Sequence, residues 1–218
     1  MSNESNQLES IQIFPLWVTP LYLGTISSAS SYVDILESKT WKRFTSDNGY
    51  VTEDTYILNQ LEFENLKKEI QKHLENYIHN VFKINKNVSF YITNSWGVKH
   101  QFGDWAAKHY HTNSLFSGVL YLKCSDISGD IKFHKNLGST TGVAQCFDFE
   151  YTEHNMFNST ECTITPQDNM VLLFPSHLEH SVNTSNSKDN RFAIAFNVFF
   201  KGDLGGTSLE KICNLKLN

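Results

Sequence analysis

The chain has 218 residues and a formal net charge of −5, with 40% hydrophobic and 19% charged residues. This is the composition of an ordinary globular domain, and the length suffices to bury a core without disulfides or a structural metal. The sequence shows no basic nucleic-acid footprint, no secretory signal and no apolar run of the ~18 residues that a transmembrane helix needs. Its four scattered cysteines predict free thiols in a reducing, cytoplasmic compartment.

The N-terminal part of the chain predicts extended and helical structure. Residues 11–26 are rich in β-branched and aromatic residues but contain two prolines, which predicts an edge strand or a wrapping segment. Residues 30–42 predict a short helix. A longer helix is predicted from Leu61 to Phe82, with Asn59 and Glu62 at capping-box spacing. Its apolar stripe consists of Leu66, Ile70, Leu74, Ile78 and Val81.

From residue 87 onward the pattern becomes that of a β-protein. Short strand-like segments are separated by Gly, Asn, Asp and Ser clusters, and no comparable helix lies between them. These segments are Val88–Trp96, Leu115–Leu122, Gly129–Phe133, Asn169–Phe174 and Arg191–Phe200. Strands without crossover helices favour antiparallel pairing, so the second half predicts a sandwich or a barrel.

The first chemical signal is the H-x-H pair formed by His109 and His111, just ahead of a predicted strand. Residues i and i+2 of an extended segment point to the same face, so both imidazoles can reach one point. Imidazole is the commonest nitrogen ligand of Fe, Zn, Cu and Ni in proteins. An H-x-H pair alone is a weak signal, because a chain with nine histidines produces such pairs by chance.

A distal histidine and an arginine complete the pattern. His180 follows the most apolar strand of the C-terminal half, and only a folded barrel could bring it to His109. Arg191 opens a strongly apolar strand, where a buried guanidinium needs an anionic partner and matches a carboxylate well. An exposed position at the strand end would equally accommodate Arg191.

These blocks resemble the prolyl-hydroxylase-type branch of the Fe(II)/2-oxoglutarate oxygenases, and within it a family found in bacteria and their tailed phages. The residues that carry the resemblance are HYHTNSLFSGVLYL, SGDIKF, NMVLLFPSHLEHSV and RFAIAFN. The N-terminal FPLWVTPLYL segment also fits, so the resemblance covers most of the chain. It implies a mainly β fold with N-terminal helices, in which the strands form a double-stranded β-helix (jelly roll).

The resemblance also implies a site. The superfamily binds iron through His-x-Asp/Glu and a distal His, which correspond here to His109 and His180, with His111 in the place of the carboxylate. Arg191 and Tyr121 match residues that bind the distal carboxylate of 2-oxoglutarate, and Asn197 matches a pocket position. The chain departs from the family at the missing acid. If the His-x-Asp/Glu motif is instead aligned two residues further along the chain, His111 is the first ligand and Asn113 stands where the acid belongs.

The function implied is that of an Fe(II)- and 2-oxoglutarate-dependent dioxygenase, using O₂, that hydroxylates an unidentified substrate with release of succinate and CO₂. The alternatives are a cupin-like metal-binding protein and a non-catalytic jelly-roll module with a binding or structural role. One domain over residues 1–218 is expected, with an N-terminal layer (1–86), a jelly-roll core (87–201) and a C-terminal tail (202–218). Partners other than the small-molecule co-substrate are not indicated, and a homodimer stays open.

The segment from residue 136 to 162 lies between the two halves of this implied site. A loop of this length often serves as a lid or a substrate-binding element. Tyr151 and His154 are its candidate substrate contacts. A plain β-excursion is the equally weighted alternative.

Overall fold

The computed structural model describes residues 11–15, 18–44, 49–135, 150–204 and 213–215. Within these residues the chain forms twelve strands in two antiparallel sheets. The strands are β1 (Tyr22–Thr25), β2 (Trp41–Arg43), β3 (Tyr50–Thr52), β4 (Val88–His100), β5 (Ala106–His109), β6 (Phe116–Lys123), β7 (Ile131–His134), β8 (Glu161–Ile164), β9 (Met170–Pro175), β10 (His180–Val182), β11 (Arg191–Leu204) and β12 (Cys213–Leu215).

The larger sheet has the order β1–β9–β6–β11–β4–β3–β2, with β12 also paired to β11, and the smaller sheet has the order β5–β10–β7–β8. Together they form a jelly roll, so the predicted mainly β fold with N-terminal helices is confirmed. The edge strand predicted within residues 11–26 is β1, which pairs with β9. The expected N-terminal layer contributes β1, β2 and β3 to the larger sheet, and β12 lies in the expected tail.

The helices pack on one side of the larger sheet. They are α1 (Val33–Glu37), preceded by a 3-10 turn (Ala29–Tyr32), and α2 (Glu64–Glu75), preceded by two 3-10 turns (Ile57–Asn59 and Leu61–Phe63) and extended by a π-helical segment (Asn76–Val81). The predicted helix from Leu61 to Phe82 is therefore confirmed, with mixed helical geometry. Four of its stripe residues are fully buried, whereas Val81 is exposed.

The predicted capping box of this helix is wrong. No side-chain cap bonds the helix start, because Asn59 accepts a hydrogen bond from Lys67 and Glu62 pairs with Lys39. Both side chains found partners outside the backbone of the first turn. Packing of the apolar stripe against the sheet therefore dominates the stability of this helix.

The opposite side of the larger sheet faces the smaller sheet and a cavity. Strands β7 and β9 contribute Ile131, Phe133, Leu172 and Phe174 to a buried cluster between the sheets. This cluster packs behind β10 and fixes the distance between the sheets at the point where the predicted histidines lie.

Candidate metal centre

Two of the predicted ligands face each other across a strand pair. His109 is the last residue of β5, His180 is the first residue of β10, and the two are direct partners in the antiparallel pairing. His111 lies just beyond β5, where its backbone N–H donates to the Ser176 carbonyl at 3.0 Å. The segment from β5 to His111 thus bridges the smaller sheet and the end of β9.

The three imidazoles converge. A nitrogen of His109, His111 and His180 each lies within 4.8 Å of the other two. The ring centroids are 4.3 Å apart for His109 and His180, 5.1 Å for His111 and His180, and 5.4 Å for His109 and His111. A divalent transition metal can be bound by three nitrogen atoms in such a cluster.

Hydrogen bonds to Nδ1 leave Nε2 of each of the three rings available to bind a metal. His109 Nδ1 donates to the Ala107 carbonyl at 2.7 Å, and His180 Nδ1 donates to the Leu178 carbonyl at 2.9 Å. His111 Nδ1 lies 2.6 Å from Asn197 Oδ1. Since these oxygens accept, each Nδ1 carries the hydrogen and each Nε2 keeps its lone pair. Oxygen acceptors on the second nitrogen orient metal-binding imidazoles in this way.

Burial keeps two of the rings neutral. It lowers the pKa of His180 to about 3, with the neighbouring His109 lowering it further. Burial also lowers the pKa of His111, against the opposing effect of the hydrogen bond to Asn197. Neutral imidazole is the form that binds a metal, so these rings need no deprotonation at ordinary pH.

A chain of hydroxyl groups supports His111, and sequence reasoning missed it. Ser117 Oγ lies 2.9 Å from both His111 Nδ1 and Asn197 Oδ1, and 2.7 Å from Ser176 Oγ, which in turn donates to Ser114 Oγ at 2.8 Å. Ser117 and Ser176 are fully buried. A serine on the inward face of an otherwise apolar strand was the signal available in the sequence.

Arg191 lies in the same cavity, buried on the larger sheet. It is 3% exposed, and its Nη1 donates to the Gly129 carbonyl at 2.7 Å. Its Nε is buried without a hydrogen-bond partner among the described residues. The Tyr121 ring lies 5.6 Å from the guanidinium carbon, and burial raises the pKa of the Tyr121 hydroxyl to about 12. The unpartnered donor fits an anionic ligand next to Tyr121.

The three histidines, Tyr121 and Arg191 line one cavity of about 700 Å³. It also includes Asn197, Trp96 and His100, and an apolar wall that contains Phe174, Ile131 and Val119. Among the residues that the structure describes, no Asp or Glu lines this cavity. The site therefore has a donor set of three imidazole nitrogens, with no carboxylate among the described residues that line the cavity.

Other predicted candidates lie elsewhere. Asn113 is exposed with φ of 55° and is not part of the cavity lining. Asp104, the acidic residue that precedes His109 most closely in the sequence, is also absent from the cavity lining, and it is buried and pairs with Arg43 at 2.7 Å. Tyr151 and His154 contact each other outside the cavity, while residues 136–149 of the expected lid lie outside the described residues.

Comparison with known proteins identifies the class. Residues 94–197 match a family model described as "Putative 2OG-Fe(II) oxygenase". These residues, just under half of the chain, are similar to the 2OG-Fe(II) oxygenase family. The oxygenase match includes His109, His111, His180, Arg191 and Asn197. No curated protein shows a significant sequence match to the chain.

Solved structures share the oxygenase fold at low sequence identity. A 2OG-Fe(II) oxygenase family oxidoreductase from Burkholderia pseudomallei is 12% identical with a TM-score of 0.58, over 82% of this chain and 84% of its own. A prolyl-4-hydroxylase from Pseudomonas putida is 11% identical with a TM-score of 0.55, over 82% and 92%. HygX from Streptomyces hygroscopicus, solved with nickel, 2-oxoglutarate and hygromycin B, is 12% identical with a TM-score of 0.56, over 83% and 82%. At these identities the likeness shows the fold.

Two further observations concern the helices and the cysteines. None of the helices in the described residues could span a lipid bilayer. Cys124 and Cys162 are free thiols.

Proposed function

We propose that the chain is an Fe(II)- and 2-oxoglutarate-dependent oxygenase of the hydroxylase type, in which His109, His111 and His180 hold the iron. The observation that carries this proposal is the convergence of three imidazoles whose Nδ1 atoms are all engaged by oxygen acceptors. The similar fold of HygX, which was solved with nickel and 2-oxoglutarate bound, supports the same co-substrate and a metal for this chain.

Arg191 and Tyr121 bind the distal carboxylate of 2-oxoglutarate in this proposal. The buried Nε of Arg191 has no partner among the described residues, and a carboxylate would supply one. The Tyr121 hydroxyl stays protonated because burial raises its pKa to about 12, so it can donate to the same group. Both residues therefore favour a dianionic co-substrate over a neutral one.

When iron, 2-oxoglutarate and O₂ are bound, they supply oxidative decarboxylation to succinate and CO₂ coupled to hydroxylation of a C–H bond. The protein orients and shelters the reactants. Asn197 and Ser117 fix the ring of His111, and the carbonyls of Ala107 and Leu178 fix the other two rings. The apolar wall next to His180 excludes water from the reacting atoms.

The test is anaerobic titration of the protein with Fe(II) and 2-oxoglutarate, read by the visible charge-transfer band of the chelate. The band is expected in the wild type and is lost in His109→Ala and His180→Ala. His177→Ala serves as the control, because His177 lies in the same turn as His180 but is exposed and outside the cavity. Formation of succinate after O₂ is admitted tests turnover.

Arg191 is tested separately through affinity. Arg191→Leu should weaken 2-oxoglutarate binding at least roughly tenfold, because a buried charge-assisted pair is lost, and Arg191→Lys should weaken it less. Unchanged affinity in Arg191→Leu would remove Arg191 from the site. Tight metal binding by the wild type without any 2-oxoglutarate band would favour the cupin-like alternative, to which a three-histidine donor set is also suited.

A further inference from the structure

The cavity extends well beyond the part assigned to 2-oxoglutarate. One row of directly paired residues crosses the larger sheet in the order Lys42, Val51, Val98, Ala193 and Tyr121. All five line the cavity. Neighbouring strands are about 4.8 Å apart, so Lys42 lies roughly 19 Å from Tyr121 across this row. The outer part of the cavity therefore begins beyond Arg191 and ends at the strand β2.

The walls of this outer part are mainly apolar. Val51 and Val98 form its floor on the sheet, and Phe44 lies next to its open end. Trp96 connects it to the metal centre, because the Trp96 ring centroid is 5.9 Å from that of His111. A ligand that lies along this floor would reach from Lys42 toward the three histidines.

The charged groups in the lining are all positive. They are Lys42, Lys108 and Arg191, although the whole chain carries 23 acidic and 18 basic residues. Lys108 pairs with Glu179 at 3.2 Å, and Arg191 lies at the inner end beside Tyr121. Lys42 forms no ion pair with a carboxylate of the described residues. It is thus the charged group of the outer cavity that is available to a ligand.

We propose that the outer cavity binds the primary substrate, and that this substrate is a small organic anion with an apolar body. Its carboxylate or phosphate group contacts Lys42, and its apolar body lies on Val51, Val98 and Trp96. This inference rests on the proposed function, because that function assigns the inner cavity to 2-oxoglutarate. The positive charges of the lining attract an anion and repel a cation, and Lys42 keeps this effect when 2-oxoglutarate occupies the inner cavity.

The experiment measures the binding of four matched probes by calorimetry, with 2-oxoglutarate at saturation. The probes are phenylbutyrate, phenylpropyl phosphate, the neutral phenylbutyramide and the cationic phenylbutylamine. At least one anionic probe should bind roughly tenfold more tightly than the amide, and the amine should bind most weakly. The ratio of the affinities of the two anionic probes shows whether the site prefers a carboxylate or a phosphate. Equal affinities, or tighter binding of the amide or amine, would overturn the proposal.

Variants assign the preference to Lys42. Lys42→Gln should remove most of the preference for the anionic probe over the neutral amide, and Lys42→Arg should keep this preference. Lys68→Gln, which removes the same charge from an exposed helix position, should change nothing. A preference that survives in Lys42→Gln, or that disappears equally in Lys68→Gln, would show Lys42 to be an ordinary solvated lysine. Competition between the anionic probes and 2-oxoglutarate would assign the preference to Arg191 and also overturn the proposal.

The Fe(II)/2-oxoglutarate band, recorded on the same samples, separates this inference from the proposed function. A wild-type band without charge preference among the probes contradicts the substrate class alone. Absence of the band contradicts the proposed function and with it the assignment of the ligand as a substrate, whereas the charge preference and its loss in Lys42→Gln still decide whether the outer cavity binds an anion.

Discussion

At the scale of single residues, the distinctive feature of the site is the absence of a negatively charged ligand among the described residues. His111 stands where the resemblance leads one to expect a carboxylate, and no acidic side chain among the described residues lines the cavity in compensation. A divalent metal held there keeps its full charge until an anion joins it. The metal and the buried Arg191 at the inner end of the cavity would both attract the dianionic 2-oxoglutarate, so binding of the metal and of 2-oxoglutarate should be strongly coupled.

This coupling can be measured. Adding 2-oxoglutarate should tighten Co(II) or Fe(II) binding by roughly 5- to 150-fold, and linkage requires the metal to tighten 2-oxoglutarate binding by the same factor. His111→Asp supplies a negative ligand, so it should tighten metal binding without 2-oxoglutarate and reduce the coupling factor. His111→Asn has nearly the same shape without the charge and is the matched control. Equal coupling in the wild type and both variants would show that ligand charge does not govern the site.

At the scale of elements, the long apolar strands and the main helix were predictable because their periodicity is local. The counterparts of β4, β6, β7, β9 and β11 were all expected near their observed positions. The short strand β5 carries no such pattern, and β10 has only three residues, so their pairing came from the structure. That pairing is what places His109 opposite His180. Likewise, the bond from His111 to Asn197 depends on the register between β6 and β11, which composition does not encode.

One glycine shows how closely these elements pack. A Cβ atom at Gly118 in β6 would lie 2.3 Å from Phe196 Cζ and 2.7 Å from Leu173 Cδ2. Phe196 is fully buried, so its ring has little room to move. The glycine in the SGVLYL block is therefore required by the neighbouring strand β11.

Gly118→Ala should accordingly destabilise the protein by about 1–3 kcal/mol through overpacking. The free energy of unfolding from urea titration measures the loss. Phe196→Leu removes the ring edge that the new methyl group would meet, so Gly118→Ala should cost clearly less in that background. A double-mutant cycle with no coupling between the two positions would contradict this explanation.

At the scale of the whole molecule, the two sides of the larger sheet have different roles. The side toward α2 is a continuous apolar core, which includes Leu66, Ile70 and Leu74. The other side carries the cavity and with it a set of buried polar groups. His100 is one of these: it is 3% exposed, lines the cavity, and its Nδ1 has no partner among the described residues.

His100 should make the protein sensitive to acid. Burial lowers its pKa to about 3 from the ordinary 6.5, and the nearby Arg191 and Arg43 lower it further. As the pH falls below about 6.5, the unfolded chain binds a proton here that the native state does not, so stability falls by up to about 1.4 kcal/mol per pH unit until about pH 3. In the metal-free protein, His100→Gln should therefore flatten the dependence of the unfolding free energy on pH between about 6 and 4. The control is His177→Gln at an exposed position, which should leave the slope of the unfolding free energy against pH unchanged. If His100→Gln and the wild type had the same slope, His100 would be protonated in the native state, contrary to this prediction.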